Sequence, residues 1–350
     1  MASELMVEDL RDLMTATQEH QKKKTFTDLS YELQRFVVMR EMLKKSNSRF
    51  QDGDYYKFEA LMNDSGSARL TAPYAVDAVN SVDGLVSASV GWKFADTNWQ
   101  IDNREIKVNS GMATQILNIW NVKEHQAMVS LAKMLERLFW GKPVNAADVM
   151  VPYGVFYWIV QNAASTGGFE GGNPAGFPGG AAGLDSDLYP NWKNWTDTYS
   201  KFTFEDMVSA MRKAAYKTGF TAPISWPGNV DASRLGWYCN FDTLMNMENI
   251  LRAQNDNLGS DLAKMDGRTV FHGVPVESVP YLDGNVDATN PIIAIDWATF
   301  HPAFLSGQHF RRSKPQVAPQ SHNVVVTWVD LGFNFVCEDR RKQSMIVYTS

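Results

Sequence analysis

The sequence predicts an α+β fold, and three stretches indicate it. Residues 110–142 have the apolar periodicity of one long amphipathic helix. Residues 53–109 alternate apolar and polar side chains with a period of two, which is typical of half-buried strands. The last third combines a helical stretch with short strand and turn segments around TVFHGVPVESV and NPIIAID.

The first 52 residues predict a helical arm rather than a compact domain. Two apolar stripes, one from Leu5 to Met14 and one from Leu33 to Leu43, are separated by a polar segment. That segment contains a basic triplet, a candidate contact for DNA phosphates. The triplet consists of Lys22, Lys23 and Lys24. A solvated helix face is the preferred explanation because the triplet is isolated.

The stretch 53–109 predicts an extended β-hairpin. Its clearest strand has one apolar face, formed by Val86, Ala88, Val90, Trp92 and Phe94. A weaker copy of the pattern runs from Tyr56 to Met62 and ends in a turn at 63–66. An isolated hairpin is marginally stable in water, so this apolar face has to pack on something else.

Residues 110–142 predict a single long helix. Ser110 supplies an N-cap, and Gly141 and Pro143 supply stop signals. The predicted apolar face consists of Ile116, Ile119, Trp120, Ala127, Leu131, Met134, Leu135 and Leu138. A helix of about 28 residues is roughly 42 Å long, so we interpret it as a spine of the molecule.

The middle of the chain is rich in glycine and aromatic residues. We predict an apolar strand over 153–160, then a long Gly-Pro-rich loop, and a helix from Phe204 to Gly219 with Gly219 as its C-cap. The aromatic cluster after the loop comprises Tyr189, Trp192, Trp195 and Tyr199. The loop has no GK[ST] sequence, which disfavours a nucleotide-binding P-loop.

The last third predicts a compact block of short elements. A helical stretch precedes a hairpin over 270–278 with a Gly-Pro break at Gly273 and Pro275, and a buried strand follows at 292–295. The C-terminal VVVTWVDLGFNFVCEDRRKQSMIVY predicts two or three further strands.

The order of these elements resembles, nearly end to end, that of the major capsid proteins of tailed double-stranded DNA bacteriophages, which have the Hong Kong 97-type fold. The resemblance implies an N-terminal arm (1–52), an extended β-hairpin loop (53–109) and a spine helix (110–142). The spine helix would belong to the peripheral and axial α/β domains, which together fill 110–350. The residues GWYCNFDTLMNMENILRAQND would form the axial-domain helix before the hairpin RTVFHGVPVESV.

By the same resemblance, the chain is expected to be a structural subunit without catalytic site or cofactor. Such subunits self-associate into pentamers and hexamers and enclose a double-stranded DNA genome. The other implied partners are a portal protein, packaged DNA and a separate scaffolding protein, because only 52 residues precede the β-rich stretch. The expected location is the virion, after assembly in the host cytoplasm.

Several residues are candidates for roles in such a shell. The candidate intersubunit contacts are Tyr56, Phe58, Trp92, Phe94 and Trp99. The candidate hinge residues at the ends of the spine helix are Gly111, Gly141 and Pro143. No Pro or Gly lies between Met112 and Trp140, so bending is expected at these ends, with Gly141 in the left-handed conformation.

Composition and the absence of certain motifs reduce the number of functions that the sequence is compatible with. The net charge of −6 disfavours a dedicated nucleic-acid binder, and no apolar run reaches the roughly 18 residues of a membrane span. Cys239 and Cys337 are too few for a disulfide framework and are predicted to be buried thiols. The sequence contains no HExxH or GxSxG motif.

Two alternatives remain open at this point. An encapsulin-type compartment would share the fold and hold cargo proteins instead of a genome. A carbohydrate-binding protein or glycoside hydrolase would use some of the eleven Trp residues, beside the Gly-Asn-Pro loop, as stacking platforms. Packing of Trp within and between subunits explains the same residues.

Overall fold

A computed structural model describes residues 36–43, 48–63, 66, 68–71, 84–104, 113–219, 235–255, 269–285, 287–318 and 321–349. Most of the predicted arm, including Lys22, Lys23 and Lys24, lies outside these ranges, as does Gly111. The mixture of helices and strands confirms the predicted α+β class.

The described residues form the following elements. The helices are α1 (Val37–Leu43), α2 (Ala113–Phe139), α3 (Val155–Trp158), α4 (Ser209–Thr218) and α5 (Phe241–Asn255). The strands of the first half are β1 (Arg49–Gln51), β2 (Tyr55–Leu61), β3 (Leu85–Gly91), β4 (Lys93–Asp102), β5 (Gly168–Gly171) and β6 (Asn194–Tyr199). The later strands are β7 (Leu235–Cys239), β8 (Val270–Phe271), β9 (Val274–Ser278), β10 (Ile292–Asp296), β11 (Phe300–Leu305), β12 (Arg311–Arg312), β13 (Gln316–Ala318), β14 (Ser321–Cys337) and β15 (Ser344–Tyr348).

These elements divide into two compact units. The first unit comprises the described residues of Met1–Asp54, Trp92–Phe139 and Pro302–Asn334. The second comprises those of Tyr55–Gly91, Trp140–His301 and Phe335–Ser350. Each unit therefore joins segments that are far apart in the sequence.

A six-stranded sheet is built around β14. Strands β1, β11, β14 and β12 lie in that order, and β4 and β13 also pair with β14. The ladder between β4 and β14 is antiparallel and runs from Lys93 opposite Phe333 to Asp102 opposite Val324. Every residue of β4 therefore has a fixed partner, which determines the face of the sheet to which each side chain belongs.

Helix α2 packs on the inner face of β4. The rings of Trp99 and Trp120 meet edge to face with centroids 5.7 Å apart, and Thr97 Oγ1 donates a hydrogen bond to Ala127 O (3.4 Å). Of the predicted apolar face, Trp120, Ala127, Leu131 and Leu135 are buried, as expected. The side chains of Ile116 and Ile119 lie outside the described part.

Both carboxylates of α2 face the interior of the first unit. Glu136 is 1% exposed, and its Oε2 accepts a hydrogen bond from Val38 N in the first turn of α1 (2.9 Å). Glu124 Oε1 lies 2.7 Å from Arg312 Nη2 on β12. A carboxylate at the N-terminus of a helix is favourable because the first N–H groups have no partner within the helix.

The second unit contains a seven-stranded sheet in the order β5-β6-β15-β10-β7-β9-β8. Its central strands β7 and β10 are buried along their whole length. One face packs against α4 and the π-helical turn Phe204–Val208 before it. Met207, Met211 and Trp237 are buried together there. This confirms the predicted helix, and Gly219 ends it in the left-handed conformation at φ 68°.

The predicted C-terminal hairpin is present as β8 and β9. His272 and Gly273 form its turn with φ values of 50° and 79°, as a two-residue type I′ turn requires. Pro275 lies within β9, opposite Val270, and is not part of the turn. The stretch predicted as the axial-domain helix begins with β7 and becomes helical from Phe241.

The strand predicted over 153–160 is wrong. Residues Val155–Trp158 form the short helix α3, and all four side chains are buried. Trp158 Nε1 donates to the carbonyl oxygens of Tyr153 (3.1 Å) and Phe335 (3.0 Å). A short, continuous apolar run does not distinguish a buried strand from a buried helix by its periodicity, which explains the error.

A buried arginine ties the glycine-rich loop to the second sheet. Arg340 is 0% exposed, and its Nε donates to Trp158 O (2.7 Å). Its Nη2 donates to Gly172 O (2.9 Å) and to Asn194 Oδ1 (3.1 Å). Burial lowers the pKa of Arg340 to about 10, so the guanidinium is still charged at neutral pH. Neutral acceptors from three separate segments thus surround one buried charge.

Replacing Arg340 with Met is expected to destabilise the subunit by about 3 kcal/mol, because buried carbonyl groups lose their donors. Urea unfolding of the unassembled protein measures this loss. Arg341→Met is the control: Arg341 is exposed, and its loss is expected to cost less than about 1 kcal/mol. Equal stability of the two variants would contradict the role given to Arg340.

Both cysteines are buried and unbonded, as predicted. Burial raises the pKa of Cys239 to about 12 and holds the pKa of Cys337 well above its ordinary value. None of the helices in the described part is long and apolar enough to cross a membrane.

The two thiols are expected to be inert in the folded subunit, because the thiolate is the reactive form and neither side chain reaches solvent. At pH 8 a thiol reagent such as 5,5′-dithiobis(2-nitrobenzoate) should react only after denaturant is added. Rapid release of the chromophore from native protein would contradict the burial of these residues.

Candidate assembly surfaces

The β2–β3 hairpin has one apolar face and one polar face. The facing pairs on the apolar side are Tyr56–Val90, Phe58–Ala88 and Ala60–Val86. Tyr56, Ala88 and Val90 are buried, whereas Ala60 and Val86 are half-buried. This face is therefore buried near the base and half-buried in the middle, and it is buried again at Met62, which is 4% exposed just beyond the last pair.

A polar cluster holds the base of the hairpin. Tyr56 Oη donates a hydrogen bond to Glu338 Oε1 (2.9 Å) and lies 3.3 Å from His301 Nε2. His301 is 1% exposed, and its Nε2 is 3.6 Å from the same carboxylate oxygen. Three segments of the second unit thus meet at one carboxylate.

Further contacts join the hairpin to the glycine-rich region of its own chain. Ser89 N donates to Ala182 O (3.3 Å), and the Phe58 ring lies 6.2 Å from the Trp192 ring. Tyr56 is therefore a contact within the subunit, which corrects the prediction that it binds a neighbour. Phe58 is half-buried, so its role as an intersubunit contact stays a prediction.

The predicted apolar face from Val86 to Phe94 does not continue past Gly91. The hairpin ends there, and β4 begins at Lys93 with the opposite phase, so that Lys93 and Trp99 face inward while Phe94 faces outward. The segment 53–109 is therefore divided between the hairpin and a strand of the six-stranded sheet. Trp99 is in the core at 3% exposure, which corrects its assignment as an intersubunit contact.

Trp92 lies at the change of phase and is half-buried. Its Nε1 donates a hydrogen bond to Gly53 O (2.7 Å). This bond links the residue before β4 to the segment before β2. Phe94 is 70% exposed and lies across Gly332, whose missing side chain makes room for the ring: a Cβ there would lie 3.3 Å from Phe94 Cε1. Among the five candidate contacts, Phe94 alone is exposed.

Two pairs of neighbouring apolar side chains are also exposed. Leu61 and Leu85 face each other across the hairpin and are 76% and 53% exposed. Val149 and Met150 are adjacent in a loop of the second unit and are 74% and 82% exposed. None of these positions was named from the sequence, because apolar periodicity indicates buried faces and gives no signal for exposed apolar residues.

The C-terminal end of α2 does not have the conformation that the sequence predicts. Gly141 is not among the described glycines with positive φ, so a left-handed C-cap at this position is wrong. The chain after the helix is held by Asn285 Nδ2, which donates to Trp140 O (3.4 Å), and by the Lys142–Asp287 ion pair (2.8 Å). Pro143 is buried.

The aromatic cluster is not a stacking platform for sugars. Three of its four members, Trp192, Trp195 and Tyr199, are buried at 5% exposure or less, and Trp195 packs edge to face on Phe169. The described part of the chain contains no group of three His, Cys, Asp or Glu side chains that could hold a metal ion. The arrangement is that of packing rather than of a cleft.

The chain is similar to solved capsid structures over most of its length. It matches a chain of the cyanophage A-1(L) capsid with a TM-score of 0.61 and 14% identity, covering 89% of this chain and 93% of that one. This chain has the fold of phage capsid subunits. The capsid of the native GTA particle gives a TM-score of 0.54 at 12% identity, with coverage of 91% and 90%. The capsid of Myoviridae phage XM1 gives 0.50 at 8%, with 88% and 92%.

No protein-family model and no curated protein matches the sequence. At the identities above, the similarity concerns the fold, and it confirms the capsid-type architecture expected from the order of elements. The helix α2 and the hairpin could be recognised in the sequence because both have a clear apolar period.

Replacing Tyr56 with Phe is expected to loosen the base of the hairpin, because the hydrogen bond to Glu338 is lost while the ring remains. The opening free energy of the hairpin should fall by about 1 kcal/mol. Hydrogen–deuterium exchange of the amides in β2 and β3 measures this change. Tyr55→Phe is the matched control, since Tyr55 is the exposed neighbour on the other face. Equal exchange in both variants would contradict the polar cluster's role.

Proposed function

We propose that this chain is the structural subunit of an icosahedral phage capsid that self-associates into pentamers and hexamers and encloses a double-stranded DNA genome. The observation that carries the proposal is the length of the match, which covers about nine tenths of this chain and of the cyanophage capsid chain. A match of this extent spans most of the chain rather than one short motif.

Exposed apolar groups support self-association. An exposed apolar side chain gains free energy when a neighbouring subunit covers it, at roughly 25 cal/mol per Å². We expect such cover at Leu61 and Leu85, which lie on the other face of the hairpin, and at Phe94 on β4. Identical subunits that bury unlike patches against each other form closed rings when the rotation between them closes, as it does in pentamers and hexamers.

The proposed role needs neither a cofactor nor a catalytic site. The proposed partners are other copies of this chain, a separate scaffolding protein, a portal protein and packaged DNA. The proposed location is the virion, with assembly in the host cytoplasm. The encapsulin-type alternative has no observation in its favour among the described residues.

Phe94→Asp tests the proposal at the one candidate contact that is exposed. We expect the variant to fold with a stability within about 1 kcal/mol of wild type, because the ring contributes little to the core. We expect it to lose shell formation, since a charge would replace an apolar contact between subunits. Sedimentation and electron microscopy of cells that also express the neighbouring gene products measure assembly.

Asn98→Asp is the matched control, because Asn98 lies on the same outward face of β4 and gains the same charge. It should assemble as wild type does. Normal shells from Phe94→Asp would remove Phe94 from the interface. A wild-type chain that stays monomeric under all these conditions would contradict the proposed function itself.

A further inference from the structure

The solvent-facing side of α2 carries no carboxylate. The helix contains two acidic residues, Glu124 and Glu136, and both point into the first unit toward Arg312 and Val38 N. The chain as a whole has a net charge of −6, so a helix face without carboxylates differs from the acidic character of the chain. No carboxylate of α2 itself therefore opposes a polyanion on this face.

The exposed side chains on this face form one stripe. Gln126, Ser130, Lys133 and Arg137 are exposed and follow each other at intervals of three and four residues, which places them in a row along the helix. The row is roughly 16 Å long. A shallow groove of about 490 Å³ follows part of it, lined by His125, Gln126, Val129, Ser130 and Lys133.

The stripe has the chemistry of a phosphate-backbone contact. Lys and Arg neutralise phosphates, and amide and hydroxyl groups donate hydrogen bonds to phosphate oxygens. The cores of protein–protein interfaces are enriched in aromatic side chains and depleted of charged ones, whereas nucleic-acid interfaces are polar and basic. The described exposed side chains of this face include Val122 as the one large apolar group and no aromatic ring.

We propose that the stripe formed by Gln126, Ser130, Lys133 and Arg137 contacts the phosphates of packaged duplex DNA, without regard to sequence. The inference rests on the proposed function, because it is a shell that brings DNA against this chain. It follows that α2 lines the interior of the shell. An acidic scaffolding protein is the competing occupant, and the experiments below distinguish it from DNA.

The first experiment measures DNA affinity. The purified full chain is titrated against a short fluorescent duplex of mixed sequence at several salt concentrations. For Lys133→Glu/Arg137→Glu we expect the affinity to fall at least about tenfold, and the dependence of log K on log salt to weaken by about 2. Lys133→Gln/Arg137→Gln should give a smaller loss of the same kind.

Lys217→Glu/Lys342→Glu is the control, because it makes the same change of charge at exposed residues of the second unit. Its affinity should stay within about twofold of wild type. Equal losses in both double variants would mean that net charge alone governs binding, and no loss in the stripe variant would overturn the proposal.

The second experiment locates the stripe in the shell. Ser130→Cys introduces an exposed thiol into a chain whose own two thiols are buried. A maleimide attached to a large polymer should label this thiol in the free subunit and fail to reach it in assembled shells. Labelling of intact shells would overturn the interior placement.

The two experiments also separate the inference from the proposed function. If no shells form, the proposed function fails, and the titration still decides whether the stripe binds DNA. If the stripe variant keeps its DNA affinity but no longer assembles with the scaffolding protein, the occupant is a protein and the DNA proposal is overturned.

Discussion

The ladder between β4 and β14 is the constraint on which the rest of the structure depends. It joins positions 240 residues apart in the sequence, as in the pair Lys93 and Phe333. Its register decides that Trp99 faces α2 and that Phe94 faces outward. A slip of one residue would exchange these two faces, expose the Trp99–Trp120 contact and bury the polar side chains of β4.

The boundary between the hairpin and β4 is the second feature that this register defines. The chain changes phase between Gly91 and Lys93, so the even-numbered residues that are buried in β3 give way to odd-numbered ones in β4. The base of the hairpin is then free to dock on its own chain through Tyr56, whereas the far end keeps Leu61 and Leu85 exposed. One hairpin thus has an internal anchor on its apolar face and two exposed leucines on its other face.

Much of the fold could be predicted from the sequence, because its long elements have clear periods. The helix α2, the helix that ends at Gly219 and the hairpin over 270–278 are strongly patterned. The phase change at Trp92 could not be predicted, since alternation of apolar residues continues through it. The internal role of Tyr56 and the buried position of Arg340 depend on partners far away in sequence, such as Glu338 and Gly172.

The candidate site residues were predicted less well than the fold. Apolar side chains in a strand indicate burial, but they do not say whether the cover comes from the same chain or from a neighbour. Trp99 and Tyr56 therefore proved to be internal, while the register of β4 places Phe94 on the outward face. The basic stripe of α2 was overlooked because it becomes visible only when Glu124 and Glu136 are seen to point inward.

Cryo-electron microscopy of the particles formed when the full chain is expressed with its neighbouring gene products tests the shell assignment most directly. We expect closed icosahedral shells whose pentamers and hexamers are built from this chain, with the base of each hairpin on its own subunit. Preparations that contain only monomers, or particles without icosahedral order, would contradict it.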